Sequence, residues 1–237
     1  MELKAEKSDQ DASMEDEKRI RVNQHKYVLV MGGPGAGKST LCGALANTAS
    51  NVIHINVGQL LRDYKGRAST TLPETGSFKD PQSRIRDYMR AGKLLPADLV
   101  LDVLKERVDL VCEHLDDHFV FLIDGYPRDA EQARMMNFGG SNDDIKAIQF
   151  ICDRQGMLQR VLSRAAEDRV DDNVETFDKR MDQYELNMPD VIQDLKVTIP
   201  VQSILHFRSN GSLDELVSDF EEIVRECCES PRRRYIL

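Results

Sequence analysis

The sequence lacks a long apolar run, a cysteine set with metal-ligand spacing and an excess of positive charge. No stretch approaches the roughly 20 apolar residues that span a bilayer, so we expect no membrane segment. The net charge of -9 is opposite in sign to that of a general nucleic-acid binder, so we expect no nucleic-acid partner. A few local arginines can still make a cleft positive, and a nucleotide site is compatible with this charge.

Cysteine is scarce and scattered, at Cys42, Cys112, Cys152, Cys227 and Cys228. Two of the five are adjacent, which is poor geometry for a disulfide. We therefore expect reduced cysteines that serve as small apolar residues in a cytoplasmic protein.

The two ends of the chain differ in composition from the part between them. Residues 1–26 are polar, without the apolar core of a signal peptide or the acid-poor composition of a transit peptide. We predict a disordered N-terminal extension over residues 1–26, one folded domain over 27–229 and a basic tail over 230–237.

Short apolar runs alternate with longer amphipathic stretches along the domain. The predicted strands are Tyr27–Met31, Val52–Val57, Phe119–Asp124, Ala147–Cys152 and Ser203–Phe207. The predicted helices are Ser39–Ala46, Gln82–Met89, Ala97–Leu115, Gly156–Ala165, Glu175–Leu195 and Leu213–Cys227. Nearly unbroken apolar strands between helices are typical of parallel sheets covered on both faces. The pattern predicts a doubly wound α/β fold with a five-stranded parallel sheet and helices on both faces.

The stretch YVLVMGGPGAGKSTLC, Tyr27–Cys42, joins an apolar strand to a glycine-rich turn. Gly32–Ser39 fits the phosphate-loop pattern G-x-x-x-x-G-K-S/T, and Thr40 adds a second hydroxyl. Glycines let successive N–H groups turn towards a phosphate, and the following helix directs its positive end there. We predict an ATP site in which Lys38 reaches the β and γ oxygens and Ser39 or Thr40 faces Mg2+.

A second stretch, FVFLIDGYPRDAEQA at Phe119–Ala133, carries a more specific pattern. An apolar strand ends in Asp124, Gly-Tyr-Pro-Arg follows, and Gln132 comes four residues after Arg128. This pattern resembles the D-G-F/Y-P-R signature of the adenylate kinase family of nucleoside monophosphate kinases. Four more stretches resemble family motifs in the family's order: HINVGQLLR (His54–Arg62), AGKLLPADLVLDVL (Ala91–Leu104), RVLSRAAEDRVDDNVETFDKRM (Arg160–Met181) and SNGSLDEL (Ser209–Leu216).

The resemblance implies a fold and a reaction. The fold would be of the P-loop NTPase type, with a monophosphate-binding flap at residues 57–95 and a short lid at 164–172. The enzyme would act as a monomer and move the γ-phosphoryl group of MgATP to a nucleoside monophosphate. The lid stretch contains no cysteine, so no zinc is expected. It is also shorter than the family's usual short lid, and Asp171 and Asp172 match an acidic pair there that serves as hinge or charge partner.

The resemblance also implies site residues, because phosphoryl transfer needs convergent positive charge more than a covalent nucleophile. The catalytic residues would be Lys38, Arg128, Arg164, Arg169 and Arg180. The ATP site would comprise Gly35, Ala36, Gly37, Lys38, Ser39, Thr40, Arg160, Arg164 and Gly211. The monophosphate site would comprise Val57, Arg62, Lys93, Leu94, Leu95, Gly125, Tyr126, Pro127, Arg128, Gln132, Arg169 and Arg180. Mg2+ would lie near Ser39 and, through water, near Asp124.

The choice of monophosphate depends on departures from the family pattern. Gln132 resembles a glutamine that reads adenine and favours AMP, whereas uridine/cytidine kinases usually carry asparagine there. Val57 replaces the threonine typical of AMP-specific members, and Gln59 replaces an aspartate in the usual form H-L/I-S-T/A-G-D-L-L-R. Ser39 replaces a common glycine, and the loop Lys65–Asp80 lengthens the flap. We expect AMP, with UMP or CMP as the alternative acceptor and a nucleotide-binding module without turnover as the alternative from another class.

Overall fold

The computed structural model describes residues 25–66, 81–113, 118–138, 141–165 and 173–228. The strands in these ranges are β1 (Lys26–Met31), β2 (Val52–Asn56), β3 (Val120–Asp124), β4 (Ile145–Ile151) and β5 (Ile204–Arg208). The α-helices are α1 (Lys38–Thr48), α2 (Val57–Gly66), α3 (Pro81–Arg90), α4 (Ala97–Cys112), α5 (Ala130–Met135), α6 (Arg154–Ala165), α7 (Val174–Thr198) and α8 (Leu213–Cys228). Short 3-10 helices precede β4 and β5, at Asn142–Asp144 and Val201–Ser203.

The strands form one parallel sheet in the order β2-β3-β1-β4-β5, which confirms the predicted five-stranded doubly wound architecture. In the register, Asp124 at the end of β3 pairs with Val30 on one side and with Asn56 on the other. The segments that follow β1, β2 and β3 therefore leave the sheet side by side at its carboxyl edge, where ligands bind in folds of this class.

The core is divided between the two faces of the sheet. Along β1, Tyr27, Leu29 and Met31 pack on one face, with apolar residues of α2, α4 and the C-terminal half of α7. Val28 and Val30 pack on the other face, with residues of α1, α6, α8 and the start of α7. Because both faces are covered, the strand is apolar at every one of these positions, as its sequence predicted.

Several predicted boundaries differ from the structure. Val57 was assigned to the second strand, but β2 ends at Asn56. The Asn56 side chain accepts a hydrogen bond from the Gln59 backbone N–H and so caps α2. The short helix α5, which Asp129 caps, was also absent from the prediction. At the N-terminal boundary, His25 is 2% exposed and Lys26 begins β1, although both were assigned to the extension.

Some sequence predictions lie outside the described residues. These are the disorder of residues 1–24, the tail after residue 228, most of the long flap loop and the lid at 166–172. Within the described ranges, no helix is long and apolar enough to cross a membrane. In the same ranges, no group of three or more His, Cys, Asp or Glu side chains is arranged to hold a metal ion.

Candidate active site

The phosphate loop, residues 32–38, connects β1 to α1 at the carboxyl edge of the sheet. Its backbone has φ values of 77° at Gly35 and 89° at Gly37, in the left-handed region that favours glycine. A Cβ atom on Gly35 would lie 2.3 Å from the carbonyl oxygen of Met157, which is far inside contact distance. Backbone conformation and close packing together therefore require glycine at position 35, although the motif leaves the residue type there open.

Lys38 is the first residue of α1, and its ammonium group lies against the phosphate loop. Nζ donates hydrogen bonds of 2.8 Å to the carbonyl oxygens of Gly32 and Gly33. The N-terminus of α1 adds the positive end of the helix dipole at the same place. The other predicted residues of this segment lie beside it, with Ala36 buried and Ser39 and Thr40 exposed on the first turn of α1.

A group of four polar side chains, which we name the edge cluster, lies next to the loop at the ends of β2 and β3. Its members are Ser39, His54, Asn56 and Asp124. The other three contact Oδ2 of Asp124: Ser39 Oγ donates at 2.6 Å, Asn56 Nδ2 donates at 2.7 Å, and His54 Nε2 lies at 3.2 Å. Asn56 Nδ2 also donates to Ser39 Oγ at 2.8 Å. The cluster therefore joins α1 to two neighbouring strands.

The Asp124 side chain is ionised although the residue is only 2% exposed. Burial by itself raises the pKa of Asp124, but the hydrogen bond from His54 and the positive charge of Lys38 outweigh it. The hydrogen bond from Ser39 acts in the same direction, and the net pKa is lowered. A carboxylate beside a hydroxyl is a set of hard oxygen donors, which suits Mg2+ with several retained waters. The residues present therefore fit the predicted magnesium site.

Arginine side chains meet beside the edge cluster, at the first turn of α2. A Cβ atom on Gly58 would lie 3.3 Å from Arg128 Nη2 and 3.5 Å from Arg62 Nη1, so both guanidinium groups lie against Gly58. Arg128 is an exposed residue, but the groups packed around its guanidinium partly remove hydration and lower its pKa; attraction to Asp124 raises the pKa, and the charges of Arg180 and Arg62 lower it again. The net pKa is lowered, and the group stays a cation at neutral pH. Convergent cations of this kind suit an anionic phosphoryl group.

Gln59 holds the Arg62 side chain on the surface of α2. Its Oε1 accepts hydrogen bonds from Arg62 Nη2 at 2.7 Å and from Nε at 3.2 Å. Its Nε2 donates to Asp63 Oδ1 at 2.7 Å. The residue that departs from the family's usual aspartate thus has a specific contact with a predicted phosphate-binding arginine.

The Gln132 side-chain amide is bonded to the segment just before it, at Arg128 and Asp129. The residue is 2% exposed, its Oε1 accepts from the Arg128 backbone N–H at 2.9 Å, and its Nε2 lies 3.2 Å from Asp129 Oδ2. Asp129 Oδ1 in turn accepts a hydrogen bond from the Gln132 backbone N–H at 2.8 Å. The Tyr126 hydroxyl donates a hydrogen bond to the backbone carbonyl of Gln132. These bonds, with that from Arg128 Nε to the Gly125 carbonyl, fix the Arg128 segment.

Other residues predicted for the monophosphate site have mixed environments. Buried ones are Val57, Leu95, Tyr126 and Pro127. Lys93 is exposed and Leu94 half-buried, in the segment between α3 and α4. Because the Val57 and Tyr126 side chains belong to the hydrophobic core, their main contribution is to place the neighbouring backbone.

On the ATP side, Arg160 joins the phosphate loop to the segment after β5. Nη2 donates to the Ser209 carbonyl at 2.8 Å, and Nη1 lies 3.4 Å from the Gly35 carbonyl and 3.3 Å from Cys152 Sγ. Gly211 is exposed two residues beyond Ser209. Arg160, on α6, therefore lies next to both the phosphate loop and the segment that carries Gly211.

The lid is the part of the predicted site in which the structure describes the fewest residues. Arg169, Asp171 and Asp172 lie outside the described residues, as does the side chain of Arg164 at the end of α6. Arg180 is half-buried on α7 and close enough to Arg128 for its charge to lower the pKa of Arg128. Of the predicted arginines, Arg62, Arg128 and Arg180 are therefore brought together.

Two residues of the edge cluster were absent from the sequence prediction, His54 and Asn56. Both lie in the stretch HINVGQLLR, which was assigned to the monophosphate side without a role for either residue. An asparagine directly before a helical pattern is a known N-cap signal, and it could have indicated the start of α2. The contacts with Ser39 and Asp124 could not be inferred, because they depend on sheet order.

Comparison with known proteins was consistent with this geometry. The family profile described as Adenylate kinase matches residues 30–198. A UMP-CMP kinase of Danio rerio is 29% identical over 204 residues, covering 85% of this chain and 97% of the relative. A uridylate kinase of Schizosaccharomyces pombe is 32% identical over 174 residues, covering 73% and 84%. Adenylate kinase isoenzyme 1 of Gallus gallus is 29% identical over 212 residues, covering 88% and 95%.

Proposed function

The chain belongs to the adenylate kinase family of nucleoside monophosphate kinases, and on that premise we propose that its phosphoryl acceptor is a pyrimidine nucleoside monophosphate, UMP or CMP. The donor in this proposal is MgATP, and the products are ADP and a nucleoside diphosphate. That the enzyme works as a monomer remains a prediction.

Charge and position carry the proposed chemistry. The phosphate loop and Lys38 would hold the β and γ phosphates of ATP, and Arg62 and Arg128 would bind the acceptor phosphate through their planar guanidinium groups. Arg180 would stabilise the negative charge that spreads over the transferred group in a loose transition state. Ser39 and Asp124 would hold the Mg2+ that accompanies ATP, which neutralises phosphate charge. Arg164 and Arg169 complete the proposed site from the lid.

The observation that carries the choice of acceptor is that the Gln132 side-chain amide is already hydrogen-bonded within the protein. Gln132 is 2% exposed and its amide bonds to the Arg128 backbone and to Asp129, so the amide would have to turn out of this buried position, and weaken those bonds, to pair with both edges of an adenine. Each such bond is worth about 1 kcal/mol, and leaving a buried N–H without a partner costs more. Val57, in the place of a hydrogen-bonding threonine, has no polar atom for the base. Recognition of AMP by these two positions is therefore disfavoured.

The names of similar proteins point the same way. UMP-CMP kinases of Danio rerio and Sus scrofa and uridylate kinases of two yeasts are 29% to 32% identical to the chain. The expectation of AMP, which depended on the residue type of Gln132 alone, has less support than the alternative.

AMP remains a second candidate on two grounds. A glutamine occupies the position at which AMP-specific members carry one, and an adenylate kinase isoenzyme of chicken is 29% identical over 212 residues. In that case the Gln132 amide would have to rotate out of its present bonds when AMP enters.

A monophosphate panel separates these candidates. Purified protein is given saturating MgATP and UMP, CMP, AMP, GMP or dAMP in turn, and ADP formation is followed in a coupled assay. We expect kcat/KM for UMP or CMP to exceed that for AMP by about 10-fold or more, the effect of one or two hydrogen bonds worth about 1 kcal/mol each. An AMP value above both pyrimidine values would overturn the choice of acceptor. No ADP with any monophosphate would overturn catalysis itself.

A further inference from the structure

Asn56 makes contacts on both sides of the phosphoryl-transfer site. It is the last residue of β2, and its backbone pairs with Asp124 in the sheet. Its Nδ2 donates to Asp124 Oδ2 at 2.7 Å and to Ser39 Oγ at 2.8 Å. Its Oδ1 accepts from the Gln59 backbone N–H at 2.8 Å. One short side chain therefore touches the first turn of α1, the end of β3 and the first turn of α2.

The chemistry of the partners determines which way the amide points. A backbone N–H can only donate, so it must face the Asn56 oxygen. The Asp124 carboxylate can only accept, so it must face the Asn56 nitrogen. Asparagine is suited to this position because aspartate lacks the donor and serine lacks a second polar group.

The contacts connect the donor half of the proposed site to its acceptor half. Ser39 lies directly after Lys38, which would hold the ATP phosphates. The capped helix α2 carries Arg62, which lies with Arg128 against Gly58. Ser39 and Asn56 are also both departures from the family pattern, which has a common glycine and a serine at these positions. These two residues bond to each other directly, through Asn56 Nδ2 and Ser39 Oγ.

We propose that Asn56 is a positioning residue that fixes the acceptor helix α2 against the phosphate-loop helix α1, so that the Arg62-bound acceptor phosphate meets the γ phosphate held at Lys38. This proposal rests on the proposed kinase function. Asn56 itself touches neither substrate in this account. It acts through Ser39 and Asp124 on one side and through the first turn of α2 on the other.

Three substitutions separate this bridge from simple helix capping. Asn56→Asp and Asn56→Ser both keep an oxygen that can cap α2, whereas Asn56→Ala removes the cap as well. Asn56→Asp also places a carboxylate beside Asp124. We expect kcat to fall about 100-fold in Asn56→Asp and about 10-fold in Asn56→Ser, since small misplacements of reacting groups have effects of this size. The KM for MgATP should change by a smaller factor than kcat, because Asn56 contacts Ser39 and Asp124 but no residue of the phosphate loop itself.

The matched control is Asn173→Asp, at the N-cap of α7. Asn173 Oδ1 accepts from the Thr176 backbone N–H at 2.9 Å, and the residue is exposed. Because aspartate caps a helix as well as asparagine does, kcat of this variant should stay within about twofold of wild type. Thermal unfolding of all variants identifies any that lose activity through unfolding. If Asn56→Asp and Asn56→Ser both keep wild-type kcat, the bridge has no role in positioning and the proposal is wrong. A loss of kcat in Asn56→Ala alone would then be an effect of the missing helix cap.

A binding measurement distinguishes failure of this proposal from failure of the proposed function. Pentaphosphate-linked dinucleotides, with adenosine at one end and uridine or adenosine at the other, mimic both substrates joined. By calorimetry we expect Asn56→Asp to lose about 10-fold more affinity for the linked dinucleotide than for ATP. If this difference in affinity is found in a protein that shows no turnover, the bridge by Asn56 is supported and the proposed kinase activity is rejected. Equal losses for both ligands, in an active wild type, would reject the bridge and keep the kinase.

Discussion

The proposed donor and acceptor halves of the site are positioned by different means. On the donor side, the phosphate loop is shaped by its own backbone, through left-handed glycines and the packing of Gly35 against Met157. On the acceptor side, helix α2 and Arg62 are held by side-chain hydrogen bonds from Asn56 and Gln59. Backbone conformation is specified within one short segment, whereas side-chain bridges need two or more elements to meet. We therefore expect the donor half to be sensitive to added atoms and the acceptor half to lost hydrogen bonds.

The largest effect should come from the charge that the donor half contributes. Lys38→Met keeps the unbranched apolar part of the side chain and removes the ammonium group that lies against the loop. We expect kcat to fall by roughly 1,000-fold, the effect typical of removing a preorganised group that stabilises transition-state charge. Steady-state kinetics with the preferred monophosphate measures this. Thermal unfolding should change little, and near-normal kcat would show that Lys38 lies outside the transfer site.

A pair of glycine substitutions tests whether the donor half is limited by space. In Gly35→Ala the added Cβ meets a backbone oxygen at 2.3 Å, and we expect a loss of about 3 kcal/mol or more in the free energy of unfolding. Gly37→Ala is the matched control, because a Cβ there meets nothing within 4 Å. It should cost only the strain of a left-handed alanine, about 1–2 kcal/mol. Urea denaturation measures both, and equal losses would contradict the packing argument.

The smallest effect should come from a single exposed bridge on the acceptor side. Gln59→Leu removes the oxygen that holds Arg62, and we expect the KM for the monophosphate to rise about fivefold, the effect of one charge-assisted hydrogen bond. The KM for MgATP should not change. Asp63→Asn, which keeps an acceptor for Gln59 Nε2 and leaves the Gln59 oxygen on Arg62, is the control and should bind the monophosphate like wild type. A parallel rise in both KM values would show that Gln59 acts on the whole site.

The fold was largely predictable because its strands are continuous apolar runs. Tyr27–Met31 and Phe119–Asp124 were each placed within one residue of the observed strand. Helix α2 was missed because Val57, an apolar residue at the end of an apolar run, looked like part of the strand. Its role as first residue of a helix follows from the cap that Asn56 supplies, which is a side-chain contact and leaves little trace in apolar periodicity.

The candidate site was predictable in its residues more than in their roles. Lys38, Ser39, Arg62 and Arg128 were assigned from motifs, and the structure brings them to one edge of the sheet. Gln132 illustrates the opposite case. Its residue type predicted AMP, but its amide is bonded to Asp129 and to the Arg128 backbone. Which partner a buried amide takes depends on local three-dimensional geometry, so the residue type alone was insufficient.

The sequence by itself determined the phosphate loop and the parallel sheet, because local backbone preferences and apolar patterning act over a few neighbouring residues. Only the tertiary structure decided that Asn56, Ser39 and Asp124 form one hydrogen-bonded group. These residues are far apart in the chain and meet because β3 lies between β1 and β2 in the sheet. Strand order is a property of the whole fold, and hydrogen bonds form only between groups that the fold brings within reach.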